Sequence, residues 1–359
     1  MDGSAIILAN GLLNTDYAKT AHGLIRSTER YEILAVIDPK SAGMDAGVIT
    51  DNIQRNIPVF ESISSMKQAV NRKIDYAIVG VATKGGVIPT GLMNDITDAI
   101  REGYIIVNGL HQYLSDIPEL VKLAQAHNTE LWDIRKPKPV SELRFWTGEI
   151  TKIDTPVIAV LGTDCALGKR TTARFLRDSV RKAGLSCEMI YTGQTGWLQG
   201  GDYGFIFDAT LNDFVSGEME QAIVSCHRAL NPDLIILEGQ AAMLNPSGPC
   251  GPEFIISGNA KGVILQHSPE RVYYNGWEDL KLEIPPIQQN INLVKSLGAE
   301  VLALTLNTKD IPYEKAKQYQ MEHEQTWQMP VALPVEEGVD SLIPVLKGYI
   351  ENCKNNKAH

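Results

Sequence analysis

The sequence predicts an α/β protein built from two parallel-sheet domains, and three observations carry that expectation. Short runs rich in Ile and Val alternate with stretches of helix-like spacing, the pattern of strands joined by crossover helices. The chain has 359 residues, more than one hydrophobic core usually organises. Near the middle, Arg135-Lys-Pro-Lys-Pro139 cannot continue a helix and should run extended, as a linker or its approach. The expected domains are residues 1–145 and 146–359.

In the first half, residues 4–10, 31–38 and 75–82 read as strands, 91–102 as a helix, 104–108 as a strand and 117–126 as a helix. This succession is Rossmann-like. The first strand is followed by Asn10-Gly11-Leu-Leu-Asn14, however, and not by the Gly-x-Gly-x-x-Gly turn of a dinucleotide site. Asp38 closes the second strand where a ribose-binding carboxylate would lie, and the competing reading is a turn former. In the second half, residues 156–161, 187–192, 233–238, 262–266 and 300–306 read as strands and 172–183 as a helix, giving a P-loop NTPase-like layer. The polar stretch from Glu351 to His359 is expected to fray.

Composition narrows the function. Hydrophobic residues make up 44% and charged residues 21%, with a formal net charge of -10, so real cores are expected and nucleic acid is not an expected partner. The five cysteines, Cys165, Cys187, Cys226, Cys250 and Cys353, are odd in number and contain no Cys-x-x-Cys pair, against both a disulfide framework and structural zinc. Acidic Asp2 precedes a short apolar run, and no run approaches the ~18 residues of a membrane helix. A cytoplasmic protein with no membrane partner is expected. Homo-oligomers are common among soluble enzymes, which sets that expectation too.

The stretch Val160 to Thr172 comes after an apolar strand and opens a helix, as a phosphate-binding loop does. It is irregular. Gly168-Lys169 is in place, but Arg170 stands where the magnesium-ligating hydroxyl belongs. Thr163 occupies the position of the first glycine, and Gly162 lies one residue earlier. Such a loop suits a polyphosphate cradle better than magnesium-dependent phosphoryl transfer. Gly162, Thr163, Asp164, Cys165, Gly168, Lys169, Arg170, Thr171 and Thr172 are its candidate residues.

In open α/β sheets ligands bind beyond the carboxyl ends of the strands, which nominates the residues just after each strand of the second half. Thr192-Gly-Gln194-Thr195-Gly196 offers amides and hydroxyls, or merely turns the chain. Glu238-Gly-Gln240 closes a hydrophobic strand in the manner of a Walker B segment; Glu238 could take a proton from an amine or cap a turn, and Gln240 and Asn245 could orient a substrate or satisfy local backbone. His267 can exchange protons near neutral pH, or be a satisfied core histidine. Arg271 can fork onto a carboxylate, or lie in a surface salt bridge. In the first half, Asn108-Gly-Leu-His111 could contact an anion.

The loop resembles those of dethiobiotin synthetase and ParA-type proteins. A nearly full-length resemblance is to the D-glutamate (D-amino-acid) N-acetyltransferase family, formerly a family of unknown function. It rests on Gly109-Leu-His111 with Ser115-Asp116, Asp133-Ile-Arg135-Lys-Pro137, the loop from Gly162 to Thr172, Thr192 to Gly196, Asp213-Phe-Val215 with Gly217, Glu238-Gly-Gln240, and His267 with Arg271. Ala241-Ala-Met243 departs from the expected Gly- or Ser-containing turn followed by His. The resemblance implies acetyl-CoA as cosubstrate, no metal, and an amino-acid acceptor, with Glu238 or His267 as base and Gln240, Arg271 and His111 on the substrate. The competing expectation is an ATP-dependent ligase or kinase, with Asp164 and Glu238 serving magnesium and Thr171 supplying the displaced hydroxyl. A third is a nucleotide-sensing protein that binds without turnover.

Overall fold

The computed structural model describes residues 2–355. The chain forms two compact units: Met1–Pro137 with Gln194–Gly201, and Lys138–Gly193 with Asp202–His359.

In the first unit the strands are β1 (Gly3–Leu8), β2 (Tyr31–Ile37), β3 (Val59–Phe60), β4 (Tyr76–Val79), β5 (Ile105–Asn108) and β6 (Leu131–Asp133). The helices are α1 (Lys19–Arg26), α2 (Ala46–Asp51), α3 (Ile63–Ala69), α4 (Thr90–Arg101) and α5 (Pro118–Ala126). The sheet order β3-β2-β1-β4-β5-β6, all parallel, is the doubly wound Rossmann order. Gln194–Gly201, which carries the short helix α7 (Gln194–Leu198), joins this unit. The Gln199 amide donates to the carbonyls of Gly23 and Ser27, and Arg30 lies over the Trp197 ring.

The second unit holds β7 (Val157–Gly162), α6 (Lys169–Lys182), β8 (Cys187–Ile190), α8 (Asn212–Leu230), β9 (Leu234–Glu238), α9 (Pro252–Ile256), β10 (Gly262–His267), α10 (Ile287–Ser296), β11 (Glu300–Leu306), α11 (Tyr313–Trp327), β12 (Val331–Ala332) and α12 (Ile343–Asn355). Its parallel order is β12-β11-β10-β7-β9-β8. Alternate residues of β7 feed two cores: Val157, Ala159 and Leu161 pack with α8 and α9, and Ile158 and Val160 with α6 and α12. Burial on both faces explains why these strands read as unbroken apolar runs. The helix after the loop starts at Lys169, ahead of the expected 172, because Gly168 turns the chain directly into it. Residues 351–355 of the expected frayed tail continue α12, and the remainder lies outside the described residues.

The Pro-rich stretch leads into a strap across α8. Glu218 accepts from Lys138 Nζ (2.6 Å) and Arg144 N (3.1 Å), and Glu220 from the amide and hydroxyl of Thr147. Gly217 is required beneath it: a Cβ there would lie 1.9 Å from the Arg144 carbonyl oxygen.

Candidate functional site

Chemistry-bearing residues of the second unit gather at the carboxyl ends of β7, β9 and β10. Residues 163–168 connect β7 to α6, and Gly168, at φ +95°, makes the left-handed turn that glycine tolerates best. A helix start of this kind presents unpaired N–H groups and a positive dipole end, which together favour an anion.

Lys169 opens α6 and is only 6% exposed. Its Nζ donates to the carbonyls of Asp164 (2.8 Å) and Ala241 (2.6 Å). Burial pulls its pKa down to about 8, against the opposing pull of Cys165 and Asp164. Asp164, fully buried, accepts from Cys165 N (2.6 Å), Asn245 Nδ2 (3.2 Å), Asn275 N (2.9 Å) and an Arg271 terminal nitrogen (2.9 Å). That same Arg271 nitrogen donates to the Cys165 carbonyl at 2.8 Å, so Arg271 clamps the loop. Gln266 Nε2 and Asn307 Nδ2 both donate to the Leu167 carbonyl, and Thr172 donates its hydroxyl to Gln266 Oε1. Sequence reasoning missed Gln266 and Asn307, and it read Asn245 as a substrate contact where the structure has it donating to Asp164; a glutamine inside an apolar strand run was the available signal for the first.

Glu238 ends β9 and is 4% exposed. Its Oε2 accepts from Thr192 N at 3.0 Å, and the Thr192 hydroxyl donates to its carbonyl and accepts from Gln240 Nε2 at 3.0 Å. Burial raises its pKa, opposed by Arg170 and by the amides of Thr192 and Gly193. His267 Nδ1 lies 2.9 Å from the Thr163 hydroxyl. Burial, with His323 and Arg271 acting in the same direction, lowers His267 to about 4, so the imidazole is neutral at pH 7. Arg170 and Thr171 come next after Lys169 on the first turn, both half-buried, and Cys165 is half-buried in the loop.

His111, Gln194 and Thr195 stand in the first unit, as does Asp38. His111 Nε2 is 2.7 Å from one terminal nitrogen of Arg135, and the other donates to Gln194 Oε1 at 2.9 Å. The imidazole therefore accepts there. Thr195 shares a hydrogen bond with the Thr20 hydroxyl. At the β1/β4 switch point, Asn10 lies against Gly91, where a Cβ would come within 2.7 Å of its Nδ2, and donates to Asp95. Asp38, fully buried, accepts from Leu13 N and Ser41 N, which is the turn-forming reading. Among the described residues no group of three or more His, Cys, Asp or Glu is placed to hold a metal ion, and no helix is long and apolar enough to cross a membrane.

Comparison with known proteins agrees with this two-part architecture. Residues 39–137 match a domain of unknown function described as Rossmann-like (DUF1611_N), and residues 144–343 one described as a P-loop domain (DUF1611_C). A protein from Pseudoalteromonas sp named D-glutamate N-acetyltransferase is 30% identical over 278 residues, 74% of this chain and 79% of the relative. Another of that name, from Tritonibacter scottomollicae, is 27% identical over 281 residues, 75% and 80% of the two chains. The crystal structure of a DUF1611 family protein from Anabaena variabilis superposes with a TM-score of 0.87 at 28% identity, over 96% of this chain and 99% of that one.

Proposed function

We propose, from the premise that this chain belongs to the DUF1611 family, that it is an N-acetyltransferase moving the acetyl group of acetyl-CoA to the amine of an amino acid, D-glutamate or a close analogue. The relatives' names supply the reaction class. The observation that carries the donor is the loop itself: a buried lysine at a helix start, followed by Arg170 in place of a metal-ligating hydroxyl. Acetyl-CoA carries a diphosphate, and acyl transfer from its thioester needs no metal.

In this reading Gly162 to Thr172 hold the carrier's phosphates. The acceptor amine attacks the thioester carbon, the C–S bond breaks, and the sulfur leaves as thiolate. The amine proton passes to Glu238, whose burial makes it the stronger base, while neutral His267, held by Thr163, faces the same loop. Gln240 is the acceptor contact nearest that carboxylate, through their shared partner Thr192. The ATP-dependent ligase stands second, because Asp164 is already engaged by Arg271 and Asn275.

Acetyl transfer from acetyl-CoA to D- and L-glutamate, monitored by the mass of the product and release of free thiol, is the test. Turnover with loss of rate in Glu238→Gln supports the assignment. If Glu238→Gln and His267→Ala both retained full transfer, the base assignment would fall; if acetyl-CoA gave no product while ATP with magnesium did, the function would fall.

A further inference from the structure

The phosphate-loop fold implies a magnesium nucleotide, and the residues here do not fit one. In such loops the metal is held by the hydroxyl after the lysine and approached by a strand-end carboxylate. Arg170 occupies the hydroxyl position. Thr172 uses its hydroxyl on Gln266, the fully buried Asp164 already accepts four hydrogen bonds, and Glu238 accepts the Thr192 amide. A cationic side chain follows Lys169 instead. Arg170 is half-buried with its Nε shut off from solvent, and among the charges acting on Glu238 it is the foremost.

We infer that Arg170 takes the place of the magnesium ion, as a covalently fixed cation between the loop and Glu238, so that the loop holds a polyphosphate without metal. Arginine suits this role: its fork matches phosphate oxygens bidentately and it cannot lose its proton. Arg170 would thereby set the loop's ligand class, excluding metal-bound nucleotides by like-charge repulsion while keeping bare polyphosphates. Only the identity of the polyphosphate, the diphosphate of an acyl carrier, rests on the acetyltransferase reading.

Titration calorimetry on the full chain, with CoA and with ADP as probes, each in excess magnesium and in chelator, tests this. The wild type should bind CoA equally well, within about twofold, in both conditions. Arg170→Ser should lose roughly tenfold or more in chelator, the scale of one charge-assisted hydrogen bond, and recover with magnesium, which the restored loop hydroxyl would ligate. Arg170→Lys, which keeps charge and bulk, should remain indifferent to magnesium and guards against misfolding of the serine variant. Magnesium strengthening wild-type binding several-fold would overturn the inference, as would Arg170→Ser binding like wild type in chelator. Binding of ADP in chelator that weakens in excess magnesium, without any binding of CoA, would uphold the role of Arg170 and overturn the acyl-carrier reading alone.

Discussion

Removing the Arg271 side chain separates two roles that its position in the sequence leaves open. One terminal nitrogen joins Asp164 Oδ2 at 2.9 Å and the Cys165 carbonyl at 2.8 Å, tying the segment after β10 to the phosphate loop. Breaking a buried ion pair by deleting one partner costs about 3–5 kcal/mol. Asp164 has no exposed surface, but the Arg271 side chain is 24% exposed, and three other donors stay on the carboxylate. The cost for Arg271→Ala is therefore discounted to about 2 kcal/mol. For a unit of this size that lowers the thermal midpoint by roughly 4–8 °C, measurable by differential scanning fluorimetry. A slack loop must be ordered by its ligand, so KM for acetyl-CoA should rise by roughly tenfold while KM for the amino acid stays put. A midpoint unchanged within about 1 °C, together with a rise in KM for the amino acid alone, would refute the clamp. Arg271 would then grip the substrate carboxylate.

The same structure sets three further outcomes. Lys169 has its pKa lowered to about 8 by burial, so anion affinity should fall as pH rises through 8; the folded state holds fewer protons than the unfolded between that value and the ordinary lysine range, so this group's contribution to stability rises over the same window. Calorimetry in buffers of different ionisation enthalpy should detect proton uptake when CoA binds above pH 8, and its absence would count against Lys169 as the phosphate partner. Gly217→Ala sets a Cβ 1.9 Å from the Arg144 carbonyl oxygen, and since that neighbour is backbone the cost should reach about 3 kcal/mol; an unchanged urea midpoint would show that the strap moves freely. Asp95, raised to about 6 mainly by burial, contributes stability that is complete below the ordinary aspartate range and lost as pH climbs through 6. Asp95→Asn should therefore raise the midpoint at pH 7 and not at pH 4, and equal shifts at both would place the effect outside titration.

How much of the molecule was legible depends on whether the information is local. Gly168 and Lys169 announced the loop because a left-handed turn followed by a helix start is encoded by adjacent residues. The nine strands of four or more residues were legible because burial on two faces leaves them mostly apolar, whereas β3, β6 and β12, two or three residues each, were too short to show a pattern. Gln266 and Asn307 were not, and Asn245 was read as a substrate contact and not as a support of the loop, since each is 80 or more residues from the loop atoms it holds. Gln194 to Gly201 shows the same limit. Its sequence comes directly after β8, yet the hydroxyl pair Thr20–Thr195 and the bonds from Gln199 assign it to the first unit, and neither helical spacing nor composition encodes which sheet a short helix will cover. Asp38 was read as a ribose ligand or a turn former, and only the donors Leu13 N and Ser41 N decide between them.

The two irregularities of the phosphate loop have a common consequence. Placing the glycine at 162 serves the crowded end of β7, where a Cβ would meet the Gln266 carbonyl oxygen and Lys169 Cδ at 3.2 Å. With close approach handled there, position 163 can carry a side chain, and Thr163 puts its hydroxyl 2.9 Å from His267 Nδ1. Position 170 likewise carries a guanidinium where a nucleotide enzyme has a small hydroxyl. Each replacement adds a group that acts on an ionisable neighbour, Thr163 on the tautomer of His267 and Arg170 on the charge of Glu238. A decayed nucleotide site would be expected to lose such partners. Here Thr163 adds a hydrogen-bond partner to His267 and Arg170 a charge that acts on Glu238, so both irregular positions bear on the candidate proton-transfer groups.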